Sequence, residues 1–160
     1  TDSKLLDAAA RERLLPLILD VAEAAGVGYA TNAEIDQIGI VPATRLAMRR
    51  ALAALRITPD CLLTDAMTMP ELDLPCSPLI KGDQRALSIA AASIIAKVTR
   101  DQCMSRLAAS FPQYGFEEHK GYGTALHRHA LRKFGPSPAH RLSFAPLQAL
   151  LGPDAKAGRP

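Results

Sequence analysis

Apolar residues recur at helical spacing along much of the chain, and glycine and proline mark where these stretches end. An apolar stripe over residues 14–22 predicts a first helix that begins at Asp2 or Asp7 and ends near Ala25. Pro16 lies inside this helix and should kink or split it, because proline lacks the N–H that a helix interior requires. Capping and proline signals predict three further helices: Thr31 or Asn32 to Ile38, Pro42 to about Leu55, and Thr124 to Gly135.

The longest predicted helix begins at Gly82-Asp83 and runs to about Ser110. Its first half, Ala86–Ala96, is apolar almost all round, which predicts a buried central helix. Two loops are predicted by their proline, glycine and tyrosine content, at Met67–Pro78 and Phe111–Gly123.

Short apolar runs predict three strands, at Val27–Thr31, Cys61–Thr64 and Leu79–Lys81. Strands that alternate with helices predict an α/β protein with a mixed central sheet. Three strands are few for a sheet covered by helices, which suggests that part of the sheet is missing from this sequence.

Length and composition indicate a globular protein. The 160 residues predict one domain over residues 1–150, followed by a flexible tail at 151–160. Hydrophobic residues at 48% and charged residues at 22% exclude a disordered chain. No apolar stretch is long enough to span a bilayer and no secretory signal is present, so we expect a cytosolic location. Three cysteines without a C-x-x-C pair predict reduced thiols, not a disulfide framework or a zinc site.

Positive charge is concentrated in the last third of the chain. Between Lys97 and Phe144, eight Lys and Arg residues against three acidic residues give a net charge of +5, and all four histidines lie there. The whole chain carries +3, so the remainder is slightly acidic. This distribution favours a polyanionic partner, although solvated helix faces would give the same composition.

Two aspartates are candidates for a metal site. Asp65 follows a predicted buried strand, and Asp83 precedes the longest helix. Ligands of α/β proteins bind at the carboxyl ends of strands, and carboxylates hold the divalent cations of phosphoryl-transfer sites. The alternative interpretations are a helix or turn cap for Asp65 and a helix N-cap for Asp83. A two-metal site would need more acidic ligands than these two.

The loop Phe116–Thr124 is the most specific local feature. Gly121 and Gly123 flank Tyr122, so the backbone can approach a ligand closely while the ring offers a flat stacking face. Lys120 precedes them and can contact a phosphate. The alternative is a plain turn whose tyrosine packs on the core. Further side chains able to reach a phosphate are His140, Arg141 and Ser143.

Several segments together resemble bacterial ribonuclease HII, a type 2 ribonuclease H, and they occur in the order of that family. They are Asp2-Ser3-Lys4, Lys81-Gly82-Asp83, the run from Ser88 to Asp101, Tyr114-Gly115-Phe116, Gly121-Tyr122-Gly123-Thr124, Gly135-Pro136, His140-Arg141 and Ser143-Phe144. The serine–alanine helix and the H-K-G-Y-G-T loop are highly specific in combination. The likeness extends to about Leu150.

The resemblance implies the ribonuclease H-like α/β fold with a helical C-terminal part. It implies an endonuclease that uses Mg²⁺ or Mn²⁺ to cut the RNA strand of RNA–DNA hybrids, and that incises 5′ of a ribonucleotide embedded in duplex DNA. A monomer is expected. Asp65 and Asp83 correspond to two of the four carboxylates of the family's metal site, and Tyr122 to the tyrosine at the RNA–DNA junction. Further substrate-binding candidates are Lys120, Gly121, His140 and Arg141, and Ser3 and Lys4 are weaker ones.

One departure from the family pattern changes the expected activity. The family's other two carboxylates are the adjacent Asp-Glu of a D-E-x-G-R-G motif, which precedes the D-S-K segment. No Asp-Glu pair followed by Gly-Arg-Gly occurs in the 160 residues. The sequence therefore resembles an N-terminally truncated ribonuclease HII, and we expect it to be inactive or nearly so by itself. The alternatives are a hybrid-binding fragment without catalysis and a chain that does not fold stably.

Overall fold

The computed structural model describes residue 3 and residues 5–151 of the chain. Helices dominate, and the strands lie in the middle of the sequence. In chain order the elements are α1 (Ala8–Val21), α2 (Asn32–Ile38), α3 (Ile40–Ala53), β1 (Leu62–Asp65), β2 (Cys76–Leu79), α4 (Gly82–Arg85), α5 (Leu87–Ser110), a 3₁₀ turn (Pro112–Tyr114), α6 (Phe116–His119), α7 (Ala125–Phe134) and α8 (Ala145–Leu151).

The chain divides into two compact units. The sheet unit comprises Thr1–Tyr29 and Ala47–Arg100, and the helical unit comprises Ala30–Leu46 and Asp101–Pro160. Helices α3 and α5 each contribute to both units. One domain over residues 1–150 stays a prediction, and the predicted tail lies beyond the described residues apart from its first residue, which ends α8.

In the described residues, β1 and β2 form a two-stranded parallel sheet. The Leu62 N–H donates to the Pro75 carbonyl at 2.8 Å, and the Ala66 N–H donates to the Leu79 carbonyl at 3.1 Å. Because alternate residues of a parallel strand face the same neighbour, Pro78 turns its nitrogen away from β1. Proline is therefore tolerated in β2, and the prediction of a loop extending through Pro78 is wrong over its last three residues.

The predicted strand at Val27–Thr31 is also wrong, because this segment packs on a helix instead of pairing with a strand. A Cβ at Gly28 would lie 2.1 Å from the carbonyl oxygen of Ala47 in α3. The Arg50 guanidinium, from the same helix, donates to the Tyr29 carbonyl at 2.7 Å. The glycine that was expected to lead into a strand instead allows close approach to α3.

The last predicted strand, Leu79–Lys81, begins earlier and ends earlier than expected. Strand β2 ends at Leu79, and Lys81 adopts the left-handed conformation, with φ of 54° and ψ of 45°. This conformation cannot continue an extended strand, so the chain turns directly into α4. The predicted strand Cys61–Thr64 is confirmed with a shift of one residue, as β1.

The longest predicted helix is interrupted. Ala86 is extended, with φ of −128° and ψ of 126°, and it separates the four-residue α4 from α5. Helix α5 is buried on one face only, since Ile89, Ile94 and Val98 are buried while Leu87 is 87% exposed. The prediction of burial all round is therefore wrong for the part of the chain described. Within those same residues, no helix is both long and apolar enough to cross a membrane.

Three predicted helix starts are confirmed, because the predicted cap residue makes the capping hydrogen bond in each. Asp7 caps α1, Thr31 caps α2 through a capping box with Glu34, and Thr124 caps α7 by accepting from the His127 N–H at 3.2 Å. Helix α1 passes Pro16 without a break and ends at Val21, four residues before the predicted end.

The core of the helical unit joins α5, α7, α8 and the loop between α5 and α7. Its buried members are Met104, Ala108, Tyr114, Phe116, Ala130, Leu131 and Leu147. Tyr114 stacks on Phe116 with ring centroids 5.5 Å apart, and its hydroxyl donates to the Gly135 carbonyl at 2.8 Å. Burial raises the pKa of Tyr114, which keeps this hydroxyl protonated as a donor.

Candidate functional site

The sheet unit brings Asp65 and Asp83 to the same edge of the sheet. Asp65 is the last residue of β1 and pairs in register with Leu79, the last residue of β2. The Asp65 Oδ1 atom accepts a hydrogen bond from the Gly82 N–H at 2.9 Å. Because Gly82 directly precedes Asp83, the backbone of Asp83 lies close to the Asp65 carboxylate at the carboxyl end of the sheet.

The backbone around this pair is held in uncommon conformations. Ala66 and Lys81, which are not glycines, both have positive φ, at 55° and 54°. Gly82 is buried, and a Cβ there would lie 2.6 Å from Cδ1 of Ile89 and 3.3 Å from the Thr64 carbonyl. Strained backbone of this kind persists where the surrounding structure fixes it, which is common at functional sites.

The sequence also allowed purely structural roles for the two aspartates, as caps, and the structure gives a different answer for each. The residue before α4 is Lys81, and no side chain at that position caps the helix. Asp83 lies inside the first turn, so its interpretation as an N-cap is wrong. Asp65 instead accepts from the first N–H of α4 across 17 positions of sequence, which leaves its second oxygen available for a ligand.

The donor set suits a hard divalent cation. Carboxylate oxygens are the ligands that Mg²⁺ and Mn²⁺ prefer, and Asp65 is exposed while Asp83 is half-buried, so both carboxylates can be reached from solvent. No cluster of three or more His, Cys, Asp or Glu side chains that could hold a metal occurs among the residues that the structure describes. The two carboxylates alone thus offer oxygen ligands of the kind that such a cation takes.

The tyrosine loop, His119–Thr124, belongs to the helical unit. Lys120 and Gly121 both have positive φ, at 49° and 83°. The Tyr122 N–H donates to the His119 carbonyl and the Thr124 N–H donates to the Tyr122 carbonyl, both at 2.8 Å. The Tyr122 side chain is 61% exposed, so it does not pack on the core as a plain turn would require.

Three positively charged side chains of the helical unit contact other groups of the protein. Lys120 is half-buried, and its ammonium donates to Ser105 Oγ in α5 at 3.0 Å. The Arg128 guanidinium donates to the Gly123 carbonyl at 2.7 Å and so holds the far end of the tyrosine loop. Arg141 is half-buried and lies over the Phe144 ring, 4.8 Å from its centroid.

Three buried histidines form a cluster that includes the first residue of the tyrosine loop: His119, His127 and His140. His119 stacks on His127 with ring centroids 4.4 Å apart, and His127 lies 5.2 Å from His140. Sequence reasoning missed this cluster. Helical spacing could have found one member, because His127 shares the buried face of α7 with Ala130 and Leu131.

His140 therefore has different surroundings from those expected of a phosphate contact. Burial, reinforced by the neighbouring His127, lowers the pKa of His140 to about 4. Burial also lowers the pKa of His127. At neutral pH His140 is uncharged, and it lies in the core beside Tyr114. It does not present a positive charge at the surface.

Among the N-terminal candidates, Ser3 is buried and its carbonyl accepts from the Arg11 guanidinium at 2.9 Å. Lys4 lies outside the described residues.

Ser143, exposed in the C-terminal part, donates its hydroxyl to Oδ1 of Asp36 at 2.6 Å. Ser3 and Ser143 thus both take part in the packing of their own units.

A parallel α/β unit with one aspartate at the end of a strand and a second in the first turn of the helix that follows the neighbouring strand resembles the arrangement of phosphoryl-transfer enzymes. Comparison with known proteins is consistent with this class. The family model "Ribonuclease HII" matches residues 1–147. The chain therefore belongs to the ribonuclease HII family, whose members are ribonuclease H hydrolases.

Individual relatives support the same assignment. A ribonuclease HII from Chloroflexus aurantiacus is 55% identical over 151 residues, which cover 94% of this chain and 71% of the relative. One from Lactobacillus delbrueckii is 52% identical, with 94% of this chain and 59% of the relative covered. The crystal structure of ribonuclease H2 from Pyrococcus horikoshii is similar with a TM-score of 0.75 and 25% identity, over 93% of this chain and 78% of that one. The predicted ribonuclease H-like α/β fold is confirmed.

Proposed function

We propose that this chain carries half of the metal site and a substrate-binding loop of an endonuclease acting on RNA paired with DNA. Its substrates are RNA–DNA hybrids and duplex DNA with an embedded ribonucleotide, which is cut on the 5′ side. The observation that carries the proposal is the hydrogen bond from the Gly82 N–H to Asp65, which brings Asp65 and Asp83 together at the sheet edge.

Asp65 and Asp83 would hold Mg²⁺ or Mn²⁺. When bound, the metal supplies an activated water and stabilises the charge on the leaving 3′-oxygen. The protein positions the two carboxylates. The fixed turn around Gly82 sets where the Asp83 carboxylate lies, and the capping hydrogen bond fixes the rotation of the Asp65 carboxylate.

Two aspartates are too few for a two-metal site, and we propose that an Asp-Glu pair in a D-E-x-G-R-G motif completes it. The 160 residues contain no such motif. Because the ligands of a metal site act as a unit, residues 1–160 alone should cleave at least about 10³-fold more slowly than the same residues joined to the motif.

Substrate contacts are proposed for the exposed Tyr122 ring, which would stack on a sugar or base at the RNA–DNA junction. Gly121 permits close approach of the backbone, and Lys120 and Arg141 supply positive charge nearby. Ser3 and Lys4 are proposed as weaker backbone contacts. His140, being buried and uncharged, is assigned to support of the tyrosine loop and not to phosphate binding. We further propose a cytosolic monomer.

The first experiment is strand cleavage of duplex DNA containing one ribonucleotide, with Mg²⁺ or Mn²⁺. Three proteins are compared: residues 1–160, the same residues joined to an upstream D-E-x-G-R-G segment of a relative, and the joined protein with Asp65→Asn. We expect 5′ incision by the joined protein only, with a loss of at least about 10³-fold on Asp65→Asn. Asp73→Asn, at an exposed aspartate between the strands, is the matched control and should cleave normally.

Cleavage by residues 1–160 at the rate of the joined protein would show that the ligand argument is wrong. Equal cleavage by the Asp65→Asn variant would remove Asp65 from the metal site. Both outcomes can be measured in one assay, because product position identifies the specific reaction.

A second candidate function is hybrid binding without catalysis. It is favoured by the absence of any cluster of three or more metal-ligating side chains within the described part of the chain, beside an exposed tyrosine in a basic segment. Such a module would bind RNA–DNA hybrid with strong salt dependence and would leave the strands intact even when the Asp-Glu segment is supplied.

A further inference from the structure

The three buried histidines make a continuous set of hydrogen bonds, and the partners at each end determine which ring nitrogen carries the proton. At one end, the Ser137 N–H donates to Nδ1 of His140 at 3.0 Å. A backbone N–H can only donate, so this nitrogen accepts and the proton of neutral His140 is on Nε2.

At the other end, Nδ1 of His127 faces the Tyr122 carbonyl at 3.0 Å. A carbonyl can only accept, so Nδ1 of His127 carries the proton and its Nε2 accepts. The two Nε2 atoms lie 3.0 Å apart, and His140 donates to His127. The assignments made independently from the two ends agree, which gives one directed relay from Ser137 through both rings to Tyr122.

His119 forms a second branch to the same loop. Its Nε2 lies 2.6 Å from the Tyr114 carbonyl and therefore donates, while its Nδ1 accepts from the Gly121 N–H at 3.1 Å. Two consecutive residues of the tyrosine loop, Gly121 and Tyr122, are thus held through a backbone group by a buried imidazole. Every ring nitrogen of the three histidines faces a protein partner, so the cluster is a hydrogen-bond network and not a set of free metal ligands.

We propose that His127 and His140 are positioning residues for Tyr122, and that the relay from Ser137 to the Tyr122 carbonyl fixes the direction in which the exposed tyrosine ring meets the substrate. The inference rests on the proposed function, in which Tyr122 contacts the RNA–DNA junction. Neither histidine touches the substrate. Both act through the backbone of the loop, where the bond from His127 holds the Tyr122 carbonyl while His119 and Arg128 hold the neighbouring Gly121 and Gly123.

The relay requires both rings to be neutral. A proton added to Nε2 of His127 would place two N–H groups against each other and end the donation from His140, and a proton added to Nδ1 of His140 would set that ring against the Ser137 N–H. The titratable groups around the two rings are Tyr114, His119 and Asp36, the last of which lines the same cavity as His140. The depressed pKa of His140, about 4, keeps the relay intact at neutral pH.

The test is a double-mutant cycle on binding of an RNA–DNA hybrid by the 160-residue chain. His127→Phe removes both hydrogen bonds but keeps a buried ring. We expect it to weaken binding about 10-fold in the wild-type background and less than about 2-fold in a Tyr122→Ala background, because its effect passes through Tyr122. His129→Phe, on the exposed face of the same helix, is the matched control and should leave binding unchanged.

A conservative variant separates positioning from packing. In His127→Asn the amide nitrogen takes the place of Nδ1 and can still donate to the Tyr122 carbonyl, so it should recover most of the affinity that His127→Phe loses. Equal losses from His127→Phe in both backgrounds, or an Asn variant no better than Phe, would overturn the proposal.

Failure of the proposed function gives a different result. If the wild-type chain binds RNA–DNA hybrid no better than duplex DNA, the function is wrong, and the relay is then judged by ¹⁵N NMR of the histidine rings. We expect protonation at Nδ1 of His127 and at Nε2 of His140 at pH 7. Any other pair of tautomers would overturn the relay whether or not the chain binds nucleic acid.

Discussion

The two units of this chain differ in how they use polar and apolar side chains. In the helical unit, aromatic rings and three histidines share one interior, and the buried histidines have hydrogen-bond partners. In the sheet unit, large apolar side chains remain at the surface, among them Leu5, Val21, Ile80 and Leu87, each at least 75% exposed. The aspartates of the sheet unit are also open to solvent, with Asp65 exposed and Asp83 half-buried.

This contrast separates two kinds of contribution to function. In the helical unit, the backbone of the exposed Tyr122 is hydrogen-bonded to the buried His127, and His127 is hydrogen-bonded to His140. In the sheet unit the backbone between the two aspartates is constrained, since Lys81 has a positive φ and the space around Gly82 is too small for a Cβ. The tyrosine loop is thus held by hydrogen bonds to buried imidazoles, and the aspartate edge by one hydrogen bond together with backbone sterics.

Acid should affect the helical unit most. The pKa of His140 is about 4 in the folded state, against an ordinary value of 6.5. Between these values the unfolded chain binds more protons, so the free energy of unfolding should fall as the pH is lowered from 6.5 towards 4, by at most roughly 3 kcal/mol. Urea denaturation followed by circular dichroism between pH 7.5 and 4.5 measures this. The slope should flatten in His140→Asn and persist in His129→Asn.

Hydrogen exchange would show which of the two units loses stability in acid. Hydrogen-exchange protection factors, corrected for the intrinsic effect of pH, should drop around Ala130 and Leu131 of the helical unit. If protection falls equally around Ile94 and Val98 of the sheet unit, the titration of His140 is not its cause.

The second largest effect on stability is expected in the sheet unit, from adding a methyl group at Gly82. In Gly82→Ala the new Cβ would lie 2.6 Å from Cδ1 of Ile89 and 3.3 Å from the Leu79 Cβ, so the turn that carries Asp83 must shift. We expect a loss of about 1–3 kcal/mol of stability and weaker Mn²⁺ binding. Gly123→Ala is the control, because a Cβ there meets nothing within 4 Å. A Gly82→Ala variant as stable as Gly123→Ala would contradict the steric account of this edge.

The smallest expected change in stability comes from removing the hydroxyl of a tyrosine in the helical unit, and it should differ between Tyr114 and Tyr122. Tyr114→Phe removes a buried hydroxyl that donates to the Gly135 carbonyl, and should lower the free energy of unfolding by about 1 kcal/mol. Tyr122→Phe, at a ring that is 61% exposed, should change stability by less than about 0.5 kcal/mol. Thermal unfolding of the two variants side by side provides the measurement, and equal losses would mean that the Tyr122 hydroxyl is also structural.

Much of the local structure could be predicted from the sequence because its causes are local. Thr31 and Thr124 cap their helices through hydrogen bonds to groups three residues away, so a short window of sequence contains both partners. The strand before Asp65 was found from a short apolar run. In contrast, Val27–Thr31 has the composition of a strand but packs on α3, a contact that no local window contains.

The candidate site divides in the same way. The sequence by itself determined which residues are candidates for the chemistry, because Asp65, Asp83 and Tyr122 stand at a strand end, a helix start and a glycine-flanked loop. Only the tertiary structure decided that Asp65 accepts from Gly82, 17 residues away, and that His127 and His140, 13 residues apart, form one relay. The physical reason is that residue type fixes what a group can donate or accept, whereas chain folding alone brings distant donors and acceptors within hydrogen-bond distance.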